Sequence, residues 1–410
     1  MSTPKYDLVI FGATSFVGQI LTRYLNDFLG TSGTVNWAIA GRSREKLEKV
    51  RAELGKAGES VPVIVADAAD EQALRAMCEQ TRVVISTVGP YALFGEPLVR
   101  VCAETGTDYC DLTGEVQWVR RMIQKYEDTA KQSGARIVHC CGFDSIPSDL
   151  GVWFLQQEGQ RRHGRPFARV KMRVKAAKGG LSGGTVASLM NVVKEASADP
   201  ALRKELANPF SLCPEGHPFT ARQPNVKSAE YDQEFDAWVA PFVMAAINTR
   251  VVHRSNALSD NSYSHEFRYD EAMLTGRGMK GRLRGFAMAA GLGGFMVGAV
   301  VRPTRWVLER FVVPKPGEGP SPQEQENGFY DLRFYGETDD GQTLRARVTG
   351  DRDPGYGSTA KMLGQAGLCL AQDIGQDRPG GFWTPAALLD GDLLQRLKAH
   401  SGLTFELMDD

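Results

Sequence analysis

The residues whose types and spacing could do chemistry begin close to the N-terminus. Gly12-Ala-Thr-Ser-Phe-Val-Gly18 follows an apolar run, Tyr6 to Phe11, and leads into apolar residues at helical spacing: Phe16, Val17, Ile20, Leu21, Tyr24 and Leu25. Small residues between a strand and a helix let the backbone turn sharply, and they leave the first helical N–H groups free for a pyrophosphate. Gly12, Thr14, Ser15, Phe16, Val17 and Gly18 are thus the candidate phosphate-binding residues, with Ser15 standing where a G-x-x-G-x-x-G loop has its middle glycine. A tight turn in a sheet that holds no cofactor is the alternative.

The second apolar run ends in Ala40-Gly-Arg-Ser-Arg44, with no carboxylate before Glu45 to hold a ribose 2′-hydroxyl. Arg42 and Ser43 suit a 2′-phosphate instead, so the expected cofactor is NADP. Arginines capping a surface turn are the competing reading. Asp67, after the third run, is placed for an adenine edge or for a helix cap. Thr87, Gly89 and Pro90 end the fourth run, where the nicotinamide belongs. Tyr91 follows them as a catalytic candidate for proton transfer, or as a packed aromatic. Asp111, Glu115, Asp144 and Ser145 follow the fifth and sixth runs and are expected to face substrate, Asp144 being the second catalytic candidate. For Asp144 and Ser145 the alternative is a helix start, since Ser145-Ile-Pro147 opens an apolar stretch. His139 reads as a core histidine. No histidine pair has metal-ligand spacing, and no nucleophile motif is present.

Positioning these residues takes alternating elements. Strands are expected at 6–11, 35–40, 61–65, 83–88, 108–112 and 136–140, with helices at 16–29, 43–54, 71–79, 97–104 and 115–133. Strands apolar on both faces, alternating with helices, specify a parallel sheet covered on both sides; six of them make a Rossmann-type doubly wound sheet. After Gly142 the pattern changes. Residues 168–176 alternate with period two, 262–269 read as a strand, and 329–336 and 343–349 flank the turn Asp339-Asp-Gly341. The fold class is therefore α/β, a Rossmann domain with a second α+β domain built on a mostly antiparallel sheet. The expected division is 1–145 for the dinucleotide, 146–370 for substrate or dimerisation, and 371–410 packing back on the first domain, with a loop at 314–322.

The chain has 410 residues, with 48 Lys and Arg against 49 Asp and Glu, a net charge of −1. That balance gives no global electrostatic pull toward nucleic acid or toward an anionic membrane. Seven cysteines without a C-x-x-C pair read as reduced thiols of a cytoplasmic protein, and no signal peptide is evident at the N-terminus. Residues 285–301 are 17 uncharged residues, among them 5 Gly and 4 Ala. As a helix they reach about 26 Å against a hydrocarbon core of about 30 Å, too short for a good span. Arg277, Lys280, Arg282, Arg284, Arg302, Arg305 and Arg310 frame them against the single Glu309. That suits an interfacial segment peripheral at the plasma membrane or one that admits an acyl chain, or else a buried helix or homodimer contact with solvated ends.

Several blocks together resemble the saccharopine dehydrogenase-like oxidoreductases, in the branch that contains the trans-acting enoyl reductases. They are F-G-A-T-S-F-V-G from Phe11, A-G-R-S-R-E-K-L from Ala40, S-T-V-G-P-Y-A-L-F-G-E-P from Ser86, Y-C-D-L-T-G-E from Tyr109, C-G-F-D-S-I-P-S-D-L-G from Cys141 and G-G-F-W-T-P-A from Gly380. They span nearly the whole chain. The resemblance implies an NADP-type dinucleotide fold joined to an α+β domain. It also implies reduction of a carbon–carbon double bond on an acyl intermediate, carrier-bound in some settings, of lipid or glycolipid assembly. Two rivals stay open: a lipid-associated nucleotide-binding protein without turnover, and a saccharopine dehydrogenase-type amino-acid oxidoreductase.

Overall fold

The computed structural model describes residues 4–30, 34–179, 183–300, 304, 319–375 and 377–409. Val301 of the apolar segment, Arg302, Arg305, Glu309 and Arg310 beyond it, and 314–318 of the expected loop lie outside the described residues.

Fourteen strands are described: β1 Tyr6–Phe11, β2 Trp37–Gly41, β3 Val63–Val65, β4 Thr81–Ser86, β5 Asp108–Asp111, β6 Arg136–Val138, β7 Arg169–Lys178, β8 Glu230–Asp232, β9 Ala237–Pro241, β10 Arg268–Gly276, β11 Phe329–Glu337, β12 Thr343–Gly350, β13 Gly381–Trp383 and β14 Leu403–Met408. They form two seven-stranded sheets, ordered β13-β6-β5-β4-β1-β2-β3 and β14-β12-β11-β7-β10-β9-β8. In the first sheet every pair is parallel, as buried apolar runs such as Leu8-Val-Ile-Phe11 require. Its order reverses between β1 and β4, which puts the crevice for a dinucleotide at their carboxyl ends. Six strands were expected from periodicity. The seventh, β13, comes from the C-terminal segment and pairs Phe382 with Ile137.

The second sheet is mixed, with β10 parallel to β7 and the other pairs antiparallel. The strand expected at 262–269 is displaced to Arg268–Gly276, because Asn256 ties down the chain just before it by accepting from Tyr263 N–H. The middle of the polar face of β7 is not solvated. Lys171 and Arg173 are buried against Asp232 and Asp270, 2.7–3.2 Å away, so the alternation separates an apolar core from an ion-paired layer.

The sheets share one apolar core through the Ile146–His163 helix, where Gly151 leaves room for the Phe334 ring: a Cβ there would meet it at 2.3 Å. The Thr359–Gln372 helix lies on the first sheet, with Gly367 against Ile85 and Leu8.

Candidate active site

The loop after β1 is held in one shape by contacts that only its own residues allow. Gly12 has φ +92°, and a Cβ there would come within 2.7 Å of Thr87 Oγ1. A Cβ on Gly18 would come within 2.2 Å of the Gly12 carbonyl oxygen. Ser15 is the N-cap of the Phe16–Leu29 helix: its hydroxyl accepts from Gly18 N–H at 2.9 Å and also meets Thr87 Oγ1 at 2.9 Å. A serine at this position therefore closes the loop through a cap where a glycine would leave it open. Thr87 donates to the Gly12 carbonyl at 2.9 Å, which locks β4 to the loop. The N–H groups of Thr14, Phe16 and Val17 have no protein partner among the described residues. They point out of a helix N-terminus, where an anion is favoured. The Phe16 ring packs edge-on against Tyr356 at 4.8 Å, which leaves its backbone N–H as the group it can offer an anion.

At the end of β2, Arg42 is exposed and unpaired among the described residues, while Ser43 caps the Arg44–Glu53 helix through Lys46 N–H. A free guanidinium one residue past the strand fits a ribose 2′-phosphate. Asp67 is exposed, and its carboxylate accepts from Ala69 N–H at 2.9 Å in a local turn; the helix cap there is Asp70. Beyond Thr87, Gly89 and Pro90 are joined by a cis peptide at the mouth of the crevice.

The Tyr91 hydroxyl, a catalytic candidate, is already engaged inside the fold. Tyr91 is buried, its hydroxyl donates to the Ser86 carbonyl at 3.0 Å, and Leu112 N–H approaches the same oxygen at 3.4 Å. Burial, reinforced by the Asp111 charge, holds its pKa well above the ordinary tyrosine value. Asp111 and Glu115, expected to face substrate, are likewise engaged by internal partners. Asp111 is fully buried and accepts from Tyr109, Thr113 N–H, Cys140 N–H and His139 Nδ1, the last at 2.7 Å. His139 is a core histidine in a cage of Trp118, Phe382 and Tyr109. Glu115 accepts from Tyr91 N–H at 2.8 Å, Ala92 N–H at 3.0 Å and Ser188 Oγ at 2.8 Å, which pins the turn after Pro90 to the Gly183–Ala198 helix. Burial raises its pKa despite these donors. Replacing Glu115 with Gln turns an amide toward backbone N–H groups, and the expected result is a loss of about 1–3 kcal/mol in urea unfolding.

Asp144 differs from all of these. It sits after β6 on the nicotinamide side of the switch point, and its carboxylate lies over Gly114, where a Cβ would be 3.2 Å from Oδ2. Burial alone pushes it up to about 7, with no cation or hydrogen bond acting against that shift. The turn that presents it is strained, with φ +64° at Cys140 and φ +113° at Ser145. Ser145 occupies the position before the Ile146–His163 helix without capping it; its hydroxyl donates to Asn248 Oδ1 at 3.0 Å. Asn248 in turn donates to Ser148 and to Glu271, another buried carboxyl, which burial pushes up to about 7. Sequence patterns missed this polar network and the capping roles of Glu115 and Ser15, because each joins residues far apart in the chain.

The parallel sheet, its phosphate loop and the free Arg42 define an NADP-dependent oxidoreductase. Residues 8–138 match the saccharopine dehydrogenase NADP binding domain. Across the whole chain the fold is that of apo saccharopine dehydrogenase (L-Glu forming) from Saccharomyces cerevisiae: TM-score 0.55 at 12% identity, covering 98% of this chain and 99% of that one. The trans-acting enoyl reductase of Mycobacterium bovis is 38% identical over 412 residues, 96% of each chain, and that of Mycobacterium ulcerans 37% identical over 406 residues, again 96% of each. The chain belongs to the trans-acting enoyl reductase family.

Proposed function

We propose that this protein uses NADPH to reduce the carbon–carbon double bond of an enoyl-acyl thioester, a carrier-bound or free intermediate of lipid or glycolipid assembly, with Asp144 as the proton donor. NADPH held by these residues would supply the hydride for the carbon β to the thioester carbonyl. The chain's own residues do the rest. The loop Gly12–Gly18 and Arg42 fix the two phosphate ends, while Thr87, Gly89 and Pro90 shape the nicotinamide end. Asp144 delivers a proton to the α carbon, so that two electrons and two hydrogens enter the substrate. The observation that carries this reading is a carboxyl kept protonated near neutral pH by burial alone, at the carboxyl edge of the sheet. Since no cation acts on Asp144, an amino-acid substrate with several carboxylates is disfavoured there. The seven cysteines are all free and buried, which suits work in the cytoplasm.

The test is calorimetry with NADPH and NADH on the wild type and on Arg42→Ala, followed by NADPH oxidation with a crotonyl thioester. Loss of the guanidinium is expected to weaken NADPH about 10–100-fold and to leave NADH unchanged. A protein that binds NADPH but oxidises none with any enoyl thioester would instead be a nucleotide-binding module without turnover. Failure to bind either nucleotide would sink the reductase reading.

A further inference from the structure

The Gly278–Val300 helix is the most exposed apolar element among the described residues. It has 23 residues, about 34 Å at 1.5 Å each, longer than the apolar segment alone and long enough to cross a bilayer. Two attachments to the folded body argue against a crossing. At its start, Gly281 and Gly285 press onto β9 and β10: a Cβ on Gly281 would meet the Gly276 carbonyl at 2.0 Å, and one on Gly285 would meet Ala229 Cβ at 3.0 Å. Near its end, Ala299 and Phe295 pack on Met190 and Val193 of the Gly183–Ala198 helix. A helix held at both ends lies along the surface.

The face it leaves outward is an apolar stripe. Met279 and Leu283 are more than 60% exposed, Phe286 follows one turn on, and Val297 and Val300 continue the line. Lys280, Arg282 and Arg284 flank its start without an acidic partner among the described residues, and Arg282 lies over the Trp238 ring at 5.3 Å. In sequence, Arg302, Arg305 and Arg310 follow its end against Glu309 alone. Two parallel copies of this helix would bring their cationic starts together, which disfavours that pairing. An apolar stripe with cations at its start is complementary to an anionic bilayer surface.

We propose that the Gly278–Val300 helix is a monotopic docking surface for anionic lipid bilayers, lying in the interface with Met279, Leu283, Phe286, Val297 and Val300 inserted and Lys280, Arg282 and Arg284 among the headgroups. The inference goes beyond the reductase reading and does not depend on it. The Gly183–Ala198 helix is common to both sites, because it packs on the docking helix and reaches Glu115 beside the crevice.

Flotation of the full-length protein with phosphatidylcholine vesicles, with and without phosphatidylglycerol, tests it. Binding is expected on the anionic vesicles, reduced at high salt and at least about tenfold weaker for Lys280→Glu/Arg284→Glu. Leu283→Asp/Val297→Asp is expected to abolish it. All four side chains are exposed, and NADPH binding, measured in parallel, should be unchanged in every variant. Two results overturn the proposal: a nucleotide-competent wild type that floats with neither vesicle, or a dimer in light scattering that Leu283→Asp/Val297→Asp converts to monomer. Loss of enoyl reduction with vesicle binding intact would count against the reductase reading alone.

Discussion

Replacing Asp144 with Asn is expected to lower kcat for enoyl reduction about 10²–10⁴-fold while leaving the NADPH dissociation constant unchanged. The substitution keeps the shape of the side chain over Gly114 but removes the transferable proton. In the wild type the acid form is the active one, and burial holds it up to about 7. Activity should therefore be full below neutrality and fall as pH rises through about 7; in the variant the residual rate should lose that limb. The substitution should move stability the other way from activity. The unfolded carboxyl ionises near its ordinary value of 3.8 whereas the folded one keeps its proton to about 7, so the wild type loses stability between those limits. Asn has no proton to lose, and above pH 7 the variant should be more stable, by roughly 2 kcal/mol once the partial exposure of Asp144 is allowed for. Urea unfolding at pH 5 and pH 8 reads this directly. An equal loss of stability and activity at both pH values would make Asp144 a structural carboxyl and remove it from the mechanism.

Local signals carried much of this architecture. Apolar runs closed by Gly12, Arg42 and Gly89 marked the strand ends, and strand ends are where a parallel sheet binds its ligand. The Asp339-Asp-Gly341 turn placed the β11–β12 hairpin, which pairs Glu337 with Thr343. Contacts between distant residues were not legible. Strand β13 is only Gly-Phe-Trp, too short for a periodic pattern, and it exists because β6 offers it an edge. Tyr91 and Glu115 read as site residues from their position after a strand. Whether such a side chain faces the crevice or the core depends on tertiary partners, here the Ser86 carbonyl for Tyr91 and two backbone N–H groups for Glu115. Asp144 was legible as a candidate for the same positional reason. Its distinguishing property, burial without a compensating charge, belongs to the folded state alone. The apolar helix shows a further limit of composition: uncharged residues 285–301 suggested a segment too short to span, yet the helix starts at Gly278 because glycines 281 and 285 let basic turns pack on the sheet.

Gly18→Ala should abolish dinucleotide binding with one added carbon. The methyl would sit 2.2 Å from the Gly12 carbonyl oxygen, 2.8 Å from Ser15 Oγ and 2.9 Å from Ala13 Cα. Two of the three are backbone atoms in a turn already fixed by φ +92° at Gly12 and by the Thr87 hydrogen bond, so no flexible side chain can give way. The helix must move off the loop, which separates the free N–H groups of Thr14, Phe16 and Val17 and breaks the Ser15 cap. NADPH affinity is expected to fall by more than about 100-fold, as several charge-assisted hydrogen bonds are lost together, and stability by about 1–3 kcal/mol from overpacking. Gly291→Ala is the control, since a Cβ there meets nothing within 4 Å on an exposed helix. It should leave NADPH binding intact and gain up to about 1 kcal/mol from helix propensity. NADPH binding that survived Gly18→Ala would mean that the phosphates lie elsewhere. The Gly12–Gly18 loop would then be only a tight connection between β1 and its helix.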